Sequence, residues 1–234
     1  MSLYDRLDLT RPTRKLQVPL SQRLNLTRQR LPRCLGCRVR IQSHWQFCPT
    51  CGRTLIVHDG EFRRCIWVDM LGMNISLENK QADHLIIDAF SKVYGAFRSV
   101  KVFLTSEPPE QKEWDSDFTH VYVFADNQPV DYLGVASFKL GVVTDFAIIR
   151  IDQILNASYF ASLSFNQLSN LIANTIAHEI GHTLGLAHSA LPTDVMHDGL
   201  NHTIHSFIPP SFHVEQINSM NNAIRKYKAL KASI

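Results

Sequence analysis

The 234-residue sequence has no long apolar run. Its longest uncharged stretch, Gln153 to Ala177, is broken throughout by Asn, Gln, Ser and Thr, which excludes a helical membrane span there. Residues 1–33 are too charged to contain the apolar core of a secretory signal, so no export signal is expected. Without one, the N-x-S/T patterns at Asn25, Asn74, Asn156 and Asn201 carry little meaning. Cysteine is scarce, at five residues, and four of these form two C-x-x-C pairs. An odd, sparse set argues against a disulfide framework and for metal binding in a reducing compartment. Net charge is small too, at +3, and by itself points to no partner.

The charge that is present is unevenly spread. Residues 1–64 carry 13 Lys/Arg against 4 Asp/Glu, a net of +9, whereas residues 65–234 carry 11 against 17, a net of −6. This break near residue 60 predicts a basic, disorder-prone tail over 1–33, a small cysteine module over 34–60, and a mildly acidic body over 62–234. A hydrophobic content of 45% is enough for a proper core in that body. Within the tail, Arg6-Leu7-Asp8-Leu9-Thr10-Arg11 returns as Arg23-Leu24-Asn25-Leu26-Thr27-Arg28. The segment fits a disordered tail, two copies of a short docking motif, or an arm for an acidic partner.

Cys34-Leu35-Gly36-Cys37 and Cys48-Pro49-Thr50-Cys51 can each present two thiolates to one zinc. A tight hairpin through Arg38–Phe47 would bring the pairs together as a zinc ribbon, with Cys34, Cys37, Cys48 and Cys51 holding a structural Zn2+. Trp45 and Phe47 beside Arg38, Arg40 and Arg53 leave a protein, RNA or DNA partner open for residues 1–60. The fifth cysteine, Cys65, starts the apolar run Cys65-Ile66-Trp67-Val68 and is expected to be a small buried hydrophobe.

The strongest signal is Ala177-His178-Glu179-Ile180-Gly181-His182-Thr183-Leu184-Gly185-Leu186-Ala187-His188-Ser189, which reads H-E-x-x-H-x-x-G-x-x-H. On a helix, His178 and His182 lie one turn apart and face one metal. Glu179 is rotated off that face, placed beside a water rather than on the metal. Gly185 can adopt a left-handed conformation, end the helix, and turn the chain so that His188 returns as third ligand. Three neutral imidazoles leave one tetrahedral zinc position open, as a catalytic site requires and a structural one does not.

In the body, Cys65–Met70 reads as a strand. Asn79–Phe97 carries the helical stripe Ala82, Leu85, Ile86, Ala89, Phe90, Val93, Tyr94 and Phe97, with His84 off it and exposed. Val100–Thr105, His120–Ala125, Leu133–Lys139 and Asp145–Ile151 read as four further strands, with an acidic surface loop over Ser106–Asp117. Ser164-x-x-Gln167 is a capping box, and Leu163 with Leu168 a hydrophobic staple, opening a helix from Phe165 to Leu184. Leu168, Leu171, Ile172, Ile176 and Ile180 form its expected core side. Pro192 and Gly199 bracket a turn around Met196, and a last helix is expected over Pro210–Lys231 with Val214, Ile217, Met220, Ile224 and Tyr227 on one face.

The extended motif from His178 to His188, followed by Ser189 and by Met196 eight residues on, resembles the metzincin zinc metallopeptidases, and among them the matrixins. The resemblance implies an α+β, zincin-like fold: a twisted, mostly parallel five-stranded sheet, two helices packed on it, and a C-terminal helix after a Met-turn. It implies zinc-dependent hydrolysis of internal peptide bonds in a protein or peptide substrate. Zn2+ would sit on His178, His182 and His188, Glu179 would act as general base, and Gly185, Ser189 and Met196 would support the site. Substrate would lie extended along Leu133–Lys139, with residues 199–208 walling the pocket and His197, His202 and His205 at its surface or wall rather than on the metal.

Several departures from the matrixin pattern stand out. Val135-Ala136-Ser137 and Phe146-Ala147-Ile148 occupy positions where matrixins carry histidines, so neither a second zinc nor calcium is expected in the body. Asp198 stands where astacins carry a tyrosine ligand. Pro32-Arg33-Cys34 is similar to the matrixin cysteine switch, but Cys34 is also the first ribbon ligand and the preceding segment is short and polar, so the ribbon is preferred. The resemblance implies action outside cells, while the paired thiols favour the cytoplasm. Two rival readings remain: an idle zinc fold serving as adaptor, against which the intact Glu179 counts, and a nucleic-acid-binding protein acting through its basic ribbon, against which the acidic body counts.

Overall fold

The computed structural model describes residues 64–69, 80–106, 108–109, 118–125, 128, 130, 132–156, 162–199, 202–231 and 233. The expected tail, the ribbon and the boundary near residue 60 lie outside these residues, as does most of the acidic loop.

The apolar runs of the body become five strands: β1 (Arg64–Asp69), β2 (Val102–Thr105), β3 (Phe118–Phe124), β4 (Gly134–Ala136) and β5 (Phe146–Arg150). They form one sheet in the order β2-β1-β3-β5-β4. The first four in that order are parallel, and β4 alone runs antiparallel, opposite β5 with Val135 facing Ile148. Period-two alternation sends Ile66, Val68, Leu104, Val121, Val123, Ala147 and Ile149 into one core, and β3 alternates cleanly along its length. Trp67 and His120 stack on the opposite face with ring centroids 4.3 Å apart.

Two helices cover the core side: α1 (Lys80–Ala96) and α3 (Phe165–Thr183). From Leu85 to Phe97 the predicted stripe of α1 is buried, and His84 is exposed as expected. In α3, Leu168, Leu171, Ile172, Ile176 and Ile180 are all buried. The capping box forms in both directions: Gln167 N–H donates to Ser164 Oγ at 3.4 Å, and Ser164 N–H donates to Gln167 Oε1 at 2.9 Å. Leu163 packs against the core. A helix that is buried along nearly its whole length gives its last turn little freedom, and that turn carries the histidines.

Boundaries differ from expectation where apolar residues run on without a period. The strand predicted over Asp145–Ile151 stops at Arg150, and Ile151 opens a short helix, α2 (Ile151–Asn156). Apolar residues continue past Arg150 and Asp152 on both sides of the boundary, and such a run cannot by itself separate a buried strand from the helix that follows it. A second short helix, α4 (His202–His205), was not foreseen, and the last one, α5 (Val214–Lys231), starts four residues later than expected. Met220 and Ile224 are buried there, but Val214 is 67% exposed because the first turn of α5 overhangs the core.

Arg64, counted in the sequence only as part of the basic segment, is fully buried. Its guanidinium donates to Thr119 Oγ1 and Phe118 O, pairs with Asp145, and sits 4.8 Å over the Tyr227 ring. One cation thus ties the starts of β1, β3 and β5 to the C-terminal helix. A buried charge is stable only with such partners.

The capping box yields the first prediction. Ser164→Ala should cost about 1 kcal/mol, read as a lower urea midpoint with unchanged slope. An unchanged midpoint would mean that α3 is held by packing alone.

Candidate active site

Helix α3 ends in a Schellman turn. Leu186 N–H donates to Gly181 O at 3.0 Å and Gly185 N–H to His182 O at 2.9 Å, with Gly185 in the left-handed region at φ +85°. The turn is close-packed as well: a Cβ on Gly185 would lie 2.7 Å from Val142 N and 2.8 Å from Gly141 N, in the loop between β4 and β5. Glycine is therefore required here twice, for conformation and for space. The turn brings His188 back toward the end of α3, as the spacing predicts.

His182 Nε2 lies 3.0 Å from both His178 Nε2 and His188 Nε2. The other ring nitrogens are tied off. His178 Nδ1 donates to Val195 O at 2.8 Å, and His182 Nδ1 donates to Leu186 O at 2.8 Å. His188 Nδ1 is 3.5 Å from the Asp198 carboxylate. A carbonyl can only accept, so His178 and His182 carry a proton on Nδ1 and, when neutral, turn Nε2 lone pairs into the cluster. Burial lowers the pKa of His178, to about 4, and that of His182, keeping both neutral. Lone pairs held face to face repel unless an electrophile lies between them. Nitrogens about 2.0–2.1 Å from a tetrahedral zinc would be about 3.3 Å apart, close to the spacing found, so the donor set fits Zn2+. Among the described residues these three are the one group arranged to hold a metal.

Glu179 is 5% exposed, and burial pushes its carboxyl up to about 8. A dication on the imidazoles would oppose that shift by favouring the charged form. Met196 is fully buried beneath the triad, and its thioether occupies the space that a side chain on Gly181 would fill: a Cβ there would be 2.5 Å from Met196 Sδ. Phe138, 48% exposed, meets the His182 ring edge-on at 5.2 Å.

Asp194 organises the turn around Met196. It is 4% exposed and accepts from Met196 N–H at 2.8 Å and from Gln216 Nε2 at 3.0 Å on both oxygens. Burial alone would raise its pKa, but the bonds from Gln216, Met196 and Ser189 outweigh that and hold it low. Ser189 N–H also donates to Met196 O at 2.8 Å, so the residue after the third histidine is bound directly to the Met-turn.

The chain beyond is fastened to α3 by two buried asparagines. Asn170 Nδ2 donates to Ser206 O, and Asn174 Nδ2 donates to His205 O and Ile208 O. His205 is itself fully buried, with Nε2 on Asp194 O at 2.9 Å. It is thus a buried support rather than a surface residue. His197 is half-buried with Nδ1 3.2 Å from Ser189 O. The sequence reading missed Asp194, Asn170, Asn174 and the close contacts at Gly181 and Gly134. An isolated glycine inside a strand or helix pattern is the one signal that could have pointed to the last two. Cys34, Cys37, Cys48 and Cys51 lie outside the described residues; Cys65 is buried, as expected.

Residues 106–218 match the family model described as Matrixin. No match is found among the curated proteins. Among solved structures, the chain is similar to archaemetzincin from Methanopyrus kandleri, with 12% identity and a TM-score of 0.45, covering 73% of this chain and 99% of that one. It is also similar to archaemetzincin from Archaeoglobus fulgidus, with 16% identity and a TM-score of 0.39 over 67% and 99% of the two chains. For metalloproteinase-II from Bacteroides fragilis the values are 17% identity and a TM-score of 0.37 over 68% and 52%.

A pH dependence follows from Asp194. Its folded pKa is depressed, so its contribution to stability is complete above the ordinary carboxylate value of about 4 and is lost as pH falls through the lower folded value. In metal-free protein, the melting temperature of Asp194→Asn should lie below that of wild type at neutral pH. The gap should narrow as the pH drops below about 4, and a constant gap would show that the charge contributes nothing.

Proposed function

We propose that the chain is a metzincin-like zinc metallopeptidase, an endopeptidase whose metal is held by His178, His182 and His188 and whose general base is Glu179. The observation that carries this reading is the triad itself: three imidazoles with convergent Nε2 atoms, two of them with Nδ1 bonded to a backbone carbonyl. A buried carboxylate adjoins that triad, on the side facing an open sheet edge.

Zinc, when bound, supplies a Lewis acid that polarises the scissile carbonyl and acidifies the attacking water. The remaining work falls to the chain. Glu179 accepts the proton of that water and delivers it to the nitrogen of the departing amine, so that one carboxylate serves both halves of the reaction. Val195 O and Leu186 O fix the orientations of the His178 and His182 rings, and the Asp198 carboxylate lies 3.5 Å from His188 Nδ1. Gly181 and Met196 close the floor. Strand β4 holds the substrate. Arg150 N–H donates to Leu133 O and Ser137 N–H to Phe146 O, which assigns the odd-numbered residues to β5 and leaves the backbone groups of Gly134 and Ala136 on the free edge. An extended peptide can add there as a further strand, with little demand on its sequence.

Glu179→Ala should lower kcat/KM on a quenched-peptide library by about 100- to 10,000-fold while the zinc content of the site is unchanged. A chelator should abolish wild-type cleavage, and added zinc should restore it. Equal activity of wild type and Glu179→Ala, or an inert wild type with zinc in the site, would sink the peptidase reading in favour of an idle fold or adaptor.

The cysteine pairs carry a separate proposal, resting on spacing alone: Cys34, Cys37, Cys48 and Cys51 hold a structural zinc. Metal analysis should then find about two zinc per chain, falling to about one on Cys34→Ser with Cys37→Ser. A constant count would remove the ribbon.

A further inference from the structure

We propose that Gly134 is a positioning residue for catalysis: its missing side chain is the space that Glu179 occupies, and the same residue offers its backbone to the substrate. A Cβ built on Gly134 would lie 2.6 Å from Glu179 Oε1, 2.7 Å from Cγ and 2.9 Å from Cδ. These are closer than real Cβ contacts come, so any other residue at 134 must displace the carboxylate. Nothing else about the position calls for glycine. Among the described residues the glycines with left-handed backbone are Gly141, Gly185 and Gly199, and Gly134 is not one of them. It lies in a regular ladder, opposite Ile149. Glycine in a strand interior costs conformational entropy and forfeits packing, so its presence needs a reason, and close approach of another group is the usual one.

The consequence is specific to chemistry rather than to folding. The atoms in the way belong to the outer half of one flexible side chain, not to backbone, so alanine can be accommodated by moving Glu179. The fold does not pay for that movement; the reaction does. The backbone of Gly134 faces the free edge, so the residue that holds the peptide also sets how closely the base can approach it. In effect the distance between base and substrate is fixed by an absent methyl group.

This inference rests on Glu179 being the base, and the two can fail separately. In full-length, zinc-loaded Gly134→Ala, kcat should fall by about 100-fold, the effect of a displacement near 1 Å, with KM changed less than about threefold. Zinc content should be retained, and the melting temperature should be unchanged or raised, as a Gly→Ala change at a compatible backbone position allows. A crystal structure of the variant should show the residue-179 carboxylate moved. If Gly134→Ala matches wild type in kcat while Glu179→Ala is inactive, the role of Gly134 is overturned and the base stands. Loss of zinc or a lowered melting temperature in Gly134→Ala would likewise overturn it, by making the glycine a structural need. If Glu179→Ala itself is as active as wild type, both readings fall together.

Discussion

Three converging imidazoles, with His182 Nε2 held 3.0 Å from both His178 Nε2 and His188 Nε2, are the constraint on which the rest of this structure depends. Left to themselves these rings would rotate away or take up protons. They are prevented from doing either by what lies behind them. Carbonyls of two turns hold the far nitrogens of His178 and His182, and burial disfavours the charged form of both rings. The energy for this comes from the packing of α3, a 19-residue helix with sixteen buried positions that cannot shift its last turn without opening the core. The histidine cluster is therefore preorganised by the fold.

Much of the polar chemistry inside the domain serves the same end at one remove. Asp194 joins the Met-turn to the C-terminal helix through Gln216, and to the turn after the third histidine through Ser189. Asn170 and Asn174 fasten the chain beyond the Met-turn onto α3. These groups are buried and bonded, so removing one leaves its partners without a bond in a dry environment. Their arrangement explains how Val195, whose carbonyl orients His178, keeps its place although it lies in a loop.

The substrate side depends on contrast. Four parallel strands are covered and extensive, while β4 is short, antiparallel and last in order, with one edge unpaired by the sheet. That edge passes beside the motif helix at Gly134 and Glu179, and carries Phe138 to the rim of His182. Sheet edge, Glu179 and the three histidines meet in space because β4 and α3 are in contact there.

What the sequence settled was whatever is local or periodic. The i, i+4 pair His178 and His182, the left-handed Gly185, the capping box at Ser164 and the apolar faces of α1 and α3 follow from helix geometry and short-range bonding, which a sequence records directly. So does the division into strand-sized runs, though not the passage from β5 into α2, where one apolar run crosses two kinds of structure. The placement of the antiparallel β4 at the edge, the burial of Arg64 among three strands and a helix, the carbonyl partners of the histidines, the hub at Asp194 and the space at Gly134 were decided only in three dimensions. Each joins residues distant in sequence through contacts that depend on how layers pack. No period or spacing encodes a gap that another element's side chain will fill.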